Sequence, residues 1–450
     1  MADALRLSPR QVIRAYYAIS GVYTLAASLI WGINTLFLLG AGLSLMQVFL
    51  ANAVFTGAMA VFEVPTGIVA DTSGRRLSFL LSVAILFAGT IAYVAIPTFG
   101  GGVLAFCLVS IVLGLGYTFY SGATEAWLVD ALKAAGHTDP VDRVLARGQL
   151  VSSAAMLVGS VSGGLLGSVN LAYPYVLRCL LLLTAFLVGV VTMHDVGFST
   201  HRMAARDVPR QMARTAEESV RFGWKTPGAR LAILAGAMQA IFFEWGYHAW
   251  QPYFLGLLGS DAAWITGTIA AAIAASMMAG NWLVDRLTGF CGRRTTMLIG
   301  AAVGYSLTAV GVGLVHSFWL AVALYLVGMM SLGVFQPVRQ GYLHLVVPQE
   351  QRATVLSFAS LVASGGSMAG QAGLGWLAAR NSLASGYVVG GALTAVAVPL
   401  LFSLRRLGGL PDRIFGRAGR FSRCPGLTTP AGAPLVAEPE PTMPQAAAPA

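Results

Sequence analysis

Charge is scarce in this chain. Only 10% of its 450 residues are Asp, Glu, Lys or Arg, while 56% are hydrophobic. A typical soluble domain carries about 25% charged residues. A water-soluble fold could not hide so much apolar surface, whereas a chain immersed in lipid has no need to. Lysine is nearly missing, with Lys133 and Lys225 alone, and arginine supplies the rest of the positive charge. Cysteine has no pattern: Cys107, Cys179, Cys291 and Cys424 stand singly, with no C-x-x-C pair and no metal-ligand spacing. That excludes a disulfide framework and a zinc module, and no metal or other cofactor is expected. There is no G-x-x-x-x-G-K-[ST] phosphate loop and no nucleophile elbow, so neither ATP-driven work nor hydrolysis is expected. The N-terminus (Asp3, Arg6, Arg10, Arg14) runs directly into a hydrophobic segment without a small-residue cleavage pattern, so no leader should be removed.

What the chain does have is apolar length. A spanning helix needs roughly 20 mostly apolar residues. Twelve segments qualify, near 13–39, 47–70, 77–97, 102–131, 145–168, 173–193, 229–257, 262–284, 295–315, 318–343, 352–379 and 384–404. The expected architecture is an all-α integral membrane protein of twelve transmembrane helices in two six-helix bundles. The N-terminal bundle would cover 1–193, a cytoplasmic central loop 194–228, the C-terminal bundle 229–404, and a Pro- and Ala-rich disordered cytoplasmic tail 405–450.

The net charge of +10 would suggest nucleic acid in a soluble protein, but its distribution says otherwise. Basic residues gather in alternate connections. They include Arg75 and Arg76, then Lys133, Arg143 and Arg147, then the run from Arg202 to Arg230. Further clusters are Arg286, Arg293 and Arg294, then Arg339 and Arg352, and finally the stretch after Arg405. Only Arg178 and Arg380 fall near the opposite loops. This is a positive-inside pattern with both termini cytoplasmic, and no nucleic-acid partner is expected.

An ionisable group inside a bilayer costs about 2.5–3.5 kcal/mol at the helix centre on insertion scales, so each one needs a reason. Glu63 lies in the second segment, and Glu63, Gly67 and Asp71 share a face at steps of four. Glu125 and Asp130 lie late in the fourth, where Asp130 is a natural partner for Arg75 or Arg76. Glu244 and His248 stack one turn apart in the seventh, within its most aromatic stretch, which also holds Trp245, Tyr247, Trp250 and Tyr253. Glu63, Glu125, Glu244 and His248 are the candidate proton carriers. For the acids, a scaffold role in helix packing competes with that reading. Trp245, Tyr247, Trp250, Tyr253 and Gln336 are candidates to line a ligand path, with an interfacial aromatic belt as the alternative. Glycines at 159, 163, 164 and 167 and at 366, 370 and 373 mark close helix contacts: plain helix packing for any single one, and as a set close contacts between the two halves.

The run Gly67-Ile68-Val69-Ala70-Asp71-Thr72-Ser73-Gly74-Arg75-Arg76 lies between the second and third segments, and a looser copy spans Asp285 to Arg294. It resembles the loop signature of the major facilitator superfamily, G-x-x-x-D-x-x-G-R-R. The strings Glu63-Val64-Pro65-Thr66-Gly67 and Glu125-Ala126-Trp127 resemble the bacterial drug and tetracycline efflux group of drug:proton antiporters. Two departures stand out: no arginine occurs between Val103 and Leu132, and Ser160 replaces a helix-5 proline.

The resemblance implies two bundles around a central cavity that work by alternating access. It also implies a cytoplasmic latch or gate formed by Gly67, Asp71, Gly74, Arg75 and Arg76, with Asp285, Arg293 and Arg294 as a looser counterpart; Asp130, by its depth in the fourth segment, is expected at the same gate. The expected activity is secondary active transport in the bacterial inner membrane by a monomer whose partners are a small-molecule substrate, protons and the lipid bilayer. Proton-coupled export of a small hydrophobic or cationic compound leads. Uptake symport of a nutrient or metabolite is the alternative, and for an anionic substrate it would need a cavity base. Arg178, Arg339 and Arg380 are the available ones, and all three read as close to helix ends. A membrane-embedded enzyme or sensor is a distant third.

Overall fold

A computed structural model describes residues 8–120, 123–196, 223–259, 262–348 and 351–414. The stretches 197–222 and 415–450, which make up most of the expected cytoplasmic central loop and disordered tail, lie outside the described residues.

The described chain is all helical. The helices are α1 (Pro9–Ser28), α2 (Asn34–Gly40), α3 (Leu45–Ser73), α4 (Arg75–Ala95), α5 (Val103–Tyr120), α6 (Ala123–Ala134), α7 (Val141–Val169) and α8 (Tyr173–Thr192) in the first half. The second half holds α9 (Pro227–Leu258), α10 (Ala263–Phe290), α11 (Arg294–Leu314), α12 (Phe318–Val346), α13 (Arg352–Arg380), α14 (Leu383–Thr394) and α15 (Ala397–Leu407). Three pairs lie end to end, α1 with α2, α5 with α6, and α14 with α15, so the fifteen helices trace the twelve expected segments.

Among the described residues nine helices are long and apolar enough to cross a membrane. The segments below that level, α1 with α2, α9 and α13, hold polar residues such as Gln239, Glu244, Gln251, Ser364 and Gln371. Helices that face protein and a wet cavity instead of lipid tolerate such residues.

Each half has its own core. Tyr16, Ile19, Phe79, Leu86, Trp127 and Leu182 pack together in the first half. Phe242, Trp245, Trp250, Phe254, Tyr325 and Tyr387 do so in the second, joined by Phe49 from α3. The halves meet along α7 with α10, α3 with α13, and α2 with α9.

Most of the glycine stripes serve plain helix packing, and fewer of them serve contact between the halves. Gly159 and Gly163 pack on Leu25, Ser28 and Leu29 of α1, and Gly366 and Gly370 on Ala237 and Ile241 of α9, all within one half. Gly164 does cross: a Cβ there would sit 2.6 Å from Gly267 Cα on α10.

The named contacts across the halves gather at the end remote from the basic turns. Gly32 and Gly164 lie on Gly267, Phe49 lies on Gly375 and Trp245, and Thr56 accepts a 3.1 Å hydrogen bond from Gln371 Nε2. Farther along the same stripe of α3, Glu63, Val64, Gly67 and Asp71 are exposed, and so are Gly365 and Leu361 on α13. The two halves are therefore joined at one end and parted at the other.

The first segment is not one helix. It breaks at residues 29–33, where the sequence predicts continuity. Ser28 Oγ bonds the carbonyls of Thr24 at 2.8 Å and Leu25 at 3.2 Å, a back-bond that competes with the helix ladder. Gly32 lets the loosened turn press on α10. The freed backbone groups are satisfied by one side chain from the other half. Gln251 Nε2 donates to Trp31 O at 2.8 Å, and Thr35 N donates to Gln251 Oε1 at 3.0 Å. Irregular backbone at membrane depth survives only with such partners.

Candidate functional site

A cavity of about 240 Å³ lies between the halves. Its first-half wall carries Asn34, Asn52, Tyr93, Tyr117, Tyr175 and Arg178, with Ile30, Phe55 and Met59 as apolar floor. Its second-half wall is Glu244, Tyr247 and His248 of α9. The tilt of α9 against the break in α1–α2 sets this wall: Thr35 Oγ1 donates to His248 O at 2.9 Å, one turn from Gln251.

The polar wall is tied together. Tyr93 and Tyr175 both donate to Asn34 Oδ1, at 3.1 and 2.9 Å, and Asn34 Nδ2 donates to Asn52 Oδ1 at 3.3 Å. Asn34, at the start of α2, is thus held by α3, α4 and α8 at once. Arg178 of α8 is 1% exposed. Its Nε donates to Thr90 Oγ1 at 3.2 Å, and its Nη1 donates to Tyr117 Oη at 3.2 Å and to the carbonyls of Ala26 and Ala27 at 3.5 Å. The guanidinium also faces the Tyr117 ring, 5.7 Å from its centroid. Among the described residues no carboxylate is in ion-pair reach of it. Arg178 is close to a helix end, as expected, and it also lines the cavity. It lies five residues into α8, and its long side chain carries the charge inward.

Of the candidate proton carriers, Glu244 and His248 line this cavity, and His248 Nδ1 is buried without a partner. Glu125 lines a second cavity of about 300 Å³, with Tyr16, Ser20, Thr24, Tyr120 and Gln149, entirely within the first half. Trp31 borders both cavities. Glu63 lines neither and is exposed on the parted stripe of α3.

Among the path candidates only Tyr247 reaches the cavity. Trp245, Trp250 and Tyr253 are buried in the second-half core. They are not on the cavity side because α9 turns that face toward α11 and α14: Tyr253 Oη donates to Val312 O at 2.8 Å, and Trp245 packs on Tyr387. Gln336 accepts a 3.2 Å hydrogen bond from Arg339 Nη2. Arg339 is buried against Gly236, with Nε and Nη1 unpartnered, and Arg380 stacks on Trp376 at 4.4 Å on the outer surface.

The basic turns differ from expectation in detail. Asp71 pairs with Arg75 at 2.7 Å within one turn. Gly74 has φ 111°, a conformation open to glycine, and Gly67 has open space where a Cβ would sit. Asp130 is half-buried. Arg76 is fixed by α8: its Nη2 donates to Val190 O at 2.9 Å, and its backbone N donates to Asp195 Oδ1 at 3.0 Å. The second half repeats the device. Thr295 N donates to Asp412 Oδ1 at 2.8 Å, and Arg294 Nη1 donates to Pro411 O at 2.9 Å and Arg413 O at 2.7 Å. Arg293 pairs through its backbone with Arg413, and Asp285 is exposed with no ion pair among the described residues. An acid placed just after the last helix of each half thus caps the third helix of that half, where its charge also meets the positive helix end.

A sequence model of the Major Facilitator Superfamily matches residues 231–431. The structure of the nucleoside transporter NupG superposes with a TM-score of 0.71 at 12% identity, covering 88% of this chain and 99% of that one. The fold is the major facilitator fold. A D-xylose-proton symporter gives 0.64 at 14% identity over 87% of this chain and 96% of its own. A peptide transporter POT gives 0.70 at 14% identity over 89% and 99%. By sequence the chain is 24% identical over 243 residues to the uncharacterized MFS-type transporter YxaM of Bacillus subtilis (strain 168). That match spans 54% of this chain and 58% of the relative's length. These likenesses support the major facilitator superfamily, whose members found here are transporters and not enzymes.

Proposed function

We propose that this protein is a proton-coupled secondary active transporter that moves a small organic molecule by alternating access. The observation that carries the reading is the cavity between two separately cored halves, sealed by Gln251 and the Gly164–Gly267 contact at one end and parted along α3 and α13 at the other. With the basic turns on the cytoplasmic side, the sealed end faces outward and the cavity communicates with the cytoplasm. Glu244, on the second-half wall, is the proton carrier. Its protonated and ionised forms bias opposite-facing states, which couples the two fluxes. Asp71, Arg75 and Arg76, with the turn at Arg293 and Arg294, close the cytoplasmic side in the other state.

Export of a drug-type compound is the direction that the efflux-like strings at Glu63 and Glu125 favour. Uptake of a nutrient or metabolite is favoured by one specific observation, the buried base Arg178 on the cavity wall. Proteoliposomes with a trapped pH dye decide between them. Substrate added on one side should move protons in the same direction for symport and the opposite direction for antiport. Glu244→Gln should leave binding but abolish the proton signal. Proton movement that persists in that variant would remove Glu244 from the mechanism.

A further inference from the structure

Arg178 is a buried base on the cavity wall. Its Nε and Nη1 are engaged by Thr90, Tyr117 and two α1 carbonyls, all neutral acceptors. Its Nη2 makes no hydrogen bond among the described residues, and the residue lines the cavity. A full positive charge is therefore held inside the first half with no carboxylate in ion-pair reach among the described residues, Glu244 being the acid on the other wall of the same cavity. Removing one partner of a buried ion pair leaves an uncompensated charge, which is strongly destabilising. Folds keep such a charge where something else supplies the counter-charge.

The anchoring is rigid. Three helices grip the guanidinium through Nε and Nη1, which leaves Nη2 for one charge-assisted hydrogen bond to an anionic oxygen. Around it the wall is phenolic: Tyr117 faces the guanidinium, and Tyr93 and Tyr175 lie 5.8 Å apart with their hydroxyls turned to Asn34. Phe55, Ile30 and Met59 supply apolar surface opposite. A volume of about 240 Å³ admits a small molecule.

We infer that the cavity binds a small organic carboxylate, with its anionic head on Arg178 and a flat or apolar body against the tyrosines. This deepens the transport reading and rests on it for its biological use, but the binding step is testable alone.

The probes are phenylacetate, phenylacetamide and phenethylammonium, which share one body and differ in the charge of the head. Binding is read from tryptophan fluorescence of the full chain in nanodiscs, since Trp31 borders the cavity. The acid should bind about tenfold or more tightly than the amide, and the cation weakest, as expected for one charge-assisted hydrogen-bonded pair. Arg178→Gln should erase the preference and Arg178→Lys keep part of it. Should Arg178→Gln not fold, the charge series on the unaltered protein still decides. Equal binding of the three heads would overturn the proposal. So would an acid preference that survives in folded Arg178→Gln, or no millimolar binding by any of a series of mono- and dicarboxylates. Carboxylate binding without carboxylate flux in proteoliposomes would keep the subsite and remove the transport reading. Flux of other compounds without carboxylate binding would do the reverse.

Discussion

Gln251 offers the sharpest perturbation. It is fully buried, and it donates to Trp31 O at 2.8 Å and accepts from Thr35 N at 3.0 Å across the two halves. Both partners are backbone groups of the broken first segment, so neither finds a substitute within its own helix. Gln251→Ala leaves two buried polar groups unmet in the state described here. Each costs about 1–3 kcal/mol. In the opposite-facing state proposed above, this end would open and water would reach both groups, so the penalty should fall mainly on the sealed state. Taking the lower bound of about 2 kcal/mol for the pair, the equilibrium shifts roughly 30-fold toward the state open at this end.

Spin labels at Ser168→Cys and Asn381→Cys, exposed on opposite halves at the sealed end, would report it in a background without the native cysteines. The short-distance population should fall sharply in Gln251→Ala and not in Gln149→Ala, which lines the second cavity away from the seal. An unchanged distance distribution in folded Gln251→Ala would refute the claim that this side chain holds the halves together.

Other outcomes follow from the same geometry. Gly267→Ala brings a Cβ to 2.5 Å from Ser160 O and 2.7 Å from Gly164 Cα, backbone on backbone. Overpacking of this kind costs about 1–3 kcal/mol, so the variant should also lose the short-distance population, whereas Gly256→Ala, with open space at its Cβ, should not. Asp195→Ala and Asp412→Ala each delete the cap of a third helix, and each should lower stability by about 1 kcal/mol, read as a lower thermal midpoint in detergent. Trp250→Phe, deep in the second-half core, should lower the thermal midpoint while leaving ligand affinity unchanged. A loss of affinity with unaltered stability would return it to the ligand path.

The twelve segments were legible because lipid demands long apolar helices, and the turn at Gly74 because a doubly basic hairpin marks one face of the membrane. The two third-helix caps were not. Asp195 and Asp412 lie far in sequence from the arginine turns they serve, and only the return of the last helix of each half brings them there. The break at residues 29–33 was hidden for the same reason: the chain there reads as continuously apolar, and its stabiliser, Gln251, comes from the other half. Gln251 did carry a faint signal, an uncharged polar residue beside Pro252 in an aromatic helix. Aromatic density misled the reading of α9. Trp245, Trp250 and Tyr253 are aromatic because that face packs a core, while the cavity face is marked by Glu244, Tyr247 and His248 at helical spacing. Position along α8 left open whether Arg178 reaches the cavity, since a long side chain places its charge well away from its own Cα.

The central claim is coupled transport through the cavity between the halves, and substrate-dependent proton movement in proteoliposomes tests it most directly. Purified protein with a trapped pH dye, given a panel of anionic, neutral and cationic small molecules, should move protons only when a substrate is added. That signal should vanish in Glu244→Gln. Proton movement without any substrate, or none with any member of the panel from folded protein, would contradict the account.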